Sequence, residues 1–166
     1  MTLQSFRRGY ERFLEGICIA LMAALALEVT AGVAFRYSGH SLVWYDEVAT
    51  ILLAWVTFYG SALAVLKHAH MGVPEVVRML PAGPRVAAAV VAQLCTMAFF
   101  VLLAWVGYTI LEILASDRLV SLPEVSVAYA NSVIPISAVL FVVGQLLVFP
   151  EVLRSARGEA GARGHA

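Results

Sequence analysis

Glu28 is the one acid set well inside a long apolar run, and a carboxyl group there invites a chemical reading before anything else in the chain. An ionisable side chain within a membrane span is costly enough to mark a candidate functional site. One reading is a proton or cation relay. The other is a carboxyl group, protonated or not, that hydrogen-bonds a neighbouring helix or a second subunit. Ala24 and Gly32, one turn either side, suit that second reading because small residues let helices approach closely. No second intramembrane acid or base is present to continue a relay.

The remaining reactive residue types fall in places that argue against catalysis. His68 and His70 lie just past the inner end of an apolar run, with His40 in a loop and His165 in the tail. A bis-histidine haem site needs histidines inside spans and facing each other. Cys18 and Cys95 are the only cysteines and both sit in apolar stretches, as small packing residues do. Two cysteines make neither a disulfide framework nor a four-ligand zinc site. The chain shows no Ser/His/Asp set, phosphate-binding glycine loop or metal-spaced cluster, so no catalytic site, cofactor or metal is expected.

The elements that position these residues follow from composition. The chain has 166 residues, of which 61% are hydrophobic and 13% charged, with a mean hydropathy of +0.87. Soluble domains carry about 25% charged residues, and their helices need a polar face. Here the surplus apolar surface must meet lipid. A net charge of zero gives no basic surface for nucleic acid.

Crossing the hydrocarbon takes about 20 apolar residues in a helix. Four such runs are present, at about 14–35, 48–66, 86–114 and 126–148. The fold class is therefore all-α and integral to the membrane, one four-helix domain over 1–153. Residues 154–166, rich in Gly, Ala and Arg, read as a disordered tail with some attraction to anionic lipid. Ala24, Leu25 and Ala26 after Arg7, Arg8 and Arg12 resemble a signal-peptide cleavage site. Apolarity continues to Phe35, too far for an ordinary signal, so a retained helix is expected.

Basic residues set the orientation. Arg7, Arg8, Arg12, Lys67, Arg78, Arg85, Arg154, Arg157 and Arg163 fall on one side of a four-span layout, and only Arg36 and Arg118 on the other. That bias puts both termini in the cytoplasm. The outer side holds Asp46, Glu47, Glu112, Asp117 and Glu124, which with the two arginines leaves it modestly acidic. Between spans two and three, Pro74, Glu75 and Pro81 frame a short helix expected to lie in the membrane interface.

Several residues suit helix-helix contact. Arg36 and Glu47 flank the loop between spans one and two and are placed to form an ion pair. Trp44 and Tyr45 suit an interfacial anchor. Gly60, Ala64 and the alanines between 87 and 92 would let helices approach closely. Pro135 should kink span four, with Asn131 and Ser132 satisfying the backbone groups it frees.

The order of residues in spans one and two resembles the small membrane subunit of the tripartite ATP-independent periplasmic (TRAP) transporters, in its DctQ-like form. The likeness rests on Arg36 and Tyr37 closing the first helix and on Trp44 and Glu47 opening the second. Trp55, Phe58 and Gly60 follow along it, with His70 after it. Tyr129 and Pro135 extend the match into span four. Ile136 and Ser137 then depart from the proline-glycine pair common there, and Pro74 stands where the family often has an acid. The resemblance implies a subunit that braces a large multi-span partner. By that resemblance the partner would use a sodium gradient to move an organic acid delivered by a periplasmic binding protein. Glu28 has no counterpart in the pattern. Through Glu28 a second reading stays open, a small stand-alone proton-coupled multidrug exporter. That reading is opposed by the longer loops, the tail and the one-sided charge.

Overall fold

The computed structural model describes residues 3–40, 42–67 and 81–156. It is helical throughout its spans: α1 covers Leu3–Tyr37, α2 Tyr45–Leu66, α3 Ala82–Leu114, α4 Val127–Asn131 and α5 Val133–Ala156. Four stretches are long and apolar enough to cross a bilayer, Ser5–Tyr37, Tyr45–Leu66, Gly83–Leu114 and Val127–Leu153. The interfacial helix expected around Pro74 and Glu75, together with His68, His70 and the tail after Ala156, lies outside the described residues.

α1 stops where its sequence supplies a terminator. Gly39 takes φ +77°, while its N–H reaches Arg36 O at 3.2 Å and that of His40 reaches Phe35 O at 3.1 Å. This paired closure satisfies the last carbonyls of α1, and only a residue tolerant of positive φ completes it cheaply. Asp46 and Glu47 occupy the first turn of α2, where the helix dipole favours negative charge. At 22 residues, α2 is about 33 Å long, close to the thickness of the hydrocarbon layer.

Span four differs from the single kinked helix expected. It is broken at Ser132 into α4 and α5, and Pro135 stands in the first turn of α5. The cause is local. Proline has no N–H to give the carbonyl four residues back, at Asn131, and its ring crowds that oxygen, so the break falls there. Asn131 Nδ2 donates to Val127 O at 3.1 Å, and Ser132 Oγ to Tyr129 O at 2.7 Å. The loosened turn thus recovers two acceptors. α5 then runs through Pro150 to Ala156, beyond the expected end of the span.

α5 is the hub. It packs on α2 and on α3, α2 packs on α1, and α4 fills the angle between α3 and α5. The core between them holds Leu14, Tyr59, Ala62, Val65, Leu66, Val133, Phe141 and Val148, with Trp55 and Phe58 packed against it. The rings of Phe100 and Phe141 stack with centroids 3.5 Å apart, joining α3 to α5. Of two glycines in this half, Gly107 is at a tight approach and Gly144 has room for a β-carbon in ordinary contact. A β-carbon on Gly107 would stand 3.1 Å from Ile134 and 3.2 Å from the Pro135 ring, and one on Gly144 would touch Leu66 at 3.7 Å. Gly60, by contrast, has no atom within 4 Å of an added β-carbon, so no contact among the described residues requires a glycine there.

Candidate functional site

The polar groups of the molecule gather at its two ends and at one level in its middle. At the end bearing the start of α1, α2 and α5 finish side by side. Arg7 joins all three helices. Its guanidinium donates to Glu151 at 2.5 Å and to the Leu66 carbonyl, at the negative end of α2, at 2.9 Å. Lys67 pairs with Glu15, whose carboxylate holds the ammonium above its ordinary pKa. One turn inward, Tyr10 Oη donates to Leu140 O at 2.7 Å. Reversing one charge, Arg7→Glu, should cost about 1 to 2 kcal/mol after solvent screening is allowed for. The double exchange Arg7→Glu with Glu151→Arg should recover part of it, read as the unfolding midpoint in detergent. Equal losses in the single and double variants would show that the pair contributes nothing.

At the opposite end, the connection between α3 and α4 is a folded hairpin. Leu119 N–H donates to Val125 O and Val127 N–H to Asp117 O, each at 3.0 Å. Arg118 and Ser126 form an antiparallel bridge between these two pairs. Ser126 also closes the corner. Its Oγ lies within 3.3 Å of the Leu114 and Ala115 carbonyls and accepts from Ala128 N–H at 3.2 Å.

Glu47 meets this hairpin. Its two carboxylate oxygens accept the consecutive N–H groups of Val120, at 3.2 Å, and Ser121, at 2.8 Å. The ion pair with Arg36 is therefore not formed, and the carboxylate is committed to a loop more than seventy residues away. Arg36 and Tyr37 are exposed at the end of α1, Tyr37 almost wholly. Trp44 precedes α2 and is about one-third exposed, in keeping with an interfacial position.

Glu28 lies nearer this end than its place in the sequence suggests. A β-carbon on Gly32 would overlap the ring of Tyr45, the first residue of α2, so those two residues are level. Glu28 is one turn below, about 6 Å along the axis, rather than at mid-bilayer. Both carboxylate oxygens are shielded from solvent and have no hydrogen-bond partner among the described residues. No group of three metal-ligating side chains occurs among the described residues.

Two further side chains, unremarked in the sequence, carry the middle of the bundle. Gln93 on α3 donates to Gln145 Oε1 on α5 at 2.7 Å, and both are buried. Trp55 Nε1 donates to Ala130 O at 2.9 Å, pinning α2 to the short α4. The signal for the glutamines was available, since an amide within an apolar run has to find a partner. Cys18 packs on the core, whereas Cys95 faces outward and packs on none of it.

Comparison with known proteins agrees with this architecture. A family model described as "Tripartite ATP-independent periplasmic transporters, DctQ component" matches residues 25–155. The chain is 34% identical over 99 residues to a C4-dicarboxylate TRAP transporter small permease protein, DctQ, of Vibrio cholerae. That match takes in 59% of this chain and 41% of the relative, so less than half of the relative's own length is spanned. It is also 24% identical over 147 residues to a sialic acid TRAP transporter small permease protein, SiaQ, of Vibrio cholerae, covering 88% of this chain and 84% of the relative. The matched family segment contains all four spans from Leu25 onward, and the chain belongs to the DctQ component family of tripartite ATP-independent periplasmic transporters, as a multi-pass protein of the bacterial inner membrane.

Proposed function

We propose that this chain is the small subunit of a sodium-gradient-driven importer of organic acids, and that its work is to brace a larger multi-span subunit. The large subunit would carry the substrate, and a periplasmic binding protein would deliver it. The observation that carries this reading is the outward face of the molecule. α1 and α3 leave most of their apolar side chains outside, among them Phe13, Ile19, Leu27, Phe99, Leu102 and Trp105, whereas α2 is largely half-buried and α5 is the most extensively covered. A chain that buries so little of its own helices has broad surface to offer a membrane partner, and its polar groups serve to stiffen it. By the charge bias, the end bearing Arg7 faces the cytoplasm and the Glu47 end faces the periplasm. The anionic carboxylate of a substrate finds no basic pocket in the middle of the described bundle.

Tagging the chain, solubilising membranes mildly and weighing what co-purifies tests this directly. A large multi-span protein in near-stoichiometric yield is the expected result, and uptake by the reconstituted pair should need both sodium and the binding protein. A small homo-oligomer that exchanges protons for a cationic compound after reconstitution would overturn it and return Glu28 to the centre.

A further inference from the structure

We infer that Glu47 is a positioning residue: it clamps the hairpin 116–126 onto α2, and the clamped hairpin forms part of the surface that meets the substrate-delivering binding protein. The inference rests on the reading above for the identity of that partner; the clamp itself rests on geometry alone.

Two consecutive backbone N–H groups that point the same way form a small anion-binding concavity. In this chain the anion is built in. Glu47 Oε1 takes Val120 N–H and Oε2 takes Ser121 N–H, each oxygen having one donor. The remainder of the loop is closed on itself by the Leu119 to Val125 and Val127 to Asp117 pairs, and by Ser126 at its base. At the tip, the N–H groups of Val120 and Ser121 take no acceptor within the loop, and Glu47 supplies one to each. Leu119 is buried beneath the tip while the Val120 side chain is 91% exposed. The clamp therefore fixes the backbone of the tip and leaves an apolar side chain facing outward at the end of the molecule opposite Arg7. A flexible tip would lose conformational freedom on docking, and one already held loses less.

The test uses the full transporter with its binding protein. Glu47→Ala removes both acceptors, Glu47→Gln keeps one carbonyl oxygen, and Val120→Asp changes the exposed tip without touching the clamp. Amide hydrogen exchange at Val120 and Ser121 should rise about tenfold or more in Glu47→Ala and less in Glu47→Gln, since charge-assisted bonds are the stronger ones. The concentration of loaded binding protein giving half-maximal uptake should rise at least severalfold in Glu47→Ala, with the maximal rate nearly kept and partial rescue in Glu47→Gln. Val120→Asp should raise the same concentration without altering exchange at Ser121. Unchanged exchange in Glu47→Ala would refute the clamp. Faster exchange with an unchanged half-maximal concentration, or a fall in maximal rate alone, would refute the docking role. If the wild-type complex takes up nothing with any binding protein, the proposed function has failed, while the exchange data still decide the clamp.

Discussion

Gly32→Leu is expected to abolish the close seam between α1 and α2, with a loss of about 3 kcal/mol or more, at the upper end of what overpacking costs. A β-carbon at Gly32 would overlap the Tyr45 ring, including Cγ, the ring atom nearest the backbone, so turning the ring about its Cβ–Cγ bond cannot relieve it. The sign of a smaller change is equally informative. Gly32→Ala in an unobstructed helix should stabilise by about 1 kcal/mol through propensity alone. Here it is expected to destabilise. Removing the obstacle reverses this: in a Tyr45→Ala background, Gly32→Ala should become neutral or favourable. Unfolding midpoints of the four proteins in one detergent provide the measurement. A stabilising Gly32→Ala in the wild-type background would show that the helices stand further apart than described.

The seam also shows what sequence can and cannot disclose in such a molecule. The four spans were legible because hydrocarbon demands long apolar runs, and little else produces them. Their inward faces were not. A helix with lipid on one side and apolar neighbours on the other has no polar stripe to orient it, so the small residues at Gly32, Gly60 and Ala64 looked alike. Gly32 meets the Tyr45 ring, while Gly60 meets nothing among the described residues. Pro135 announced a disturbance in span four, and the break falls at Ser132 because the crowded carbonyl lies one turn before the proline.

Glu47 shows a different limit. Its place at the opening of α2 was visible, and an arginine across a short loop was the obvious partner. Its acceptor role is filled instead by two backbone N–H groups, and backbone donors leave no trace in residue identity. Arg7 is a similar case. It reads as one of several arginines setting orientation, yet it bonds a helix-terminal carbonyl and an acid from the far end of the chain. Glu28 was visible from the outset as an anomaly. The structure adds that it sits one turn from the start of α2, with shielded oxygens that have no hydrogen-bond partner among the described residues.

Gln145→Leu should destabilise the bundle by about 1 to 3 kcal/mol, the cost of leaving one buried polar partner without the other. The Gln93 amide would then lose its 2.7 Å acceptor and keep only the long, 3.4 Å bond to the backbone carbonyl of residue 145, buried in the seam between α3 and α5. The double variant Gln93→Leu with Gln145→Leu removes the need as well as the bond, and it should recover most of that loss. Interhelical hydrogen bonds in membranes contribute little net energy, averaging about 0.6 kcal/mol, because the separated helices find other partners. The cost of a lone amide and the benefit of a paired one are therefore unequal, and the double-mutant cycle measures the difference. α3 is the element at stake, since among the long helices it packs chiefly on α5. The expected sign of failure is release of α3, read as faster amide exchange along Ala82–Leu114 in Gln145→Leu and near-native exchange in the double variant. If the double variant is as damaged as the single one, the glutamines hold α3 by packing alone, and its attachment must be sought at Phe100, Phe141 and Gly107.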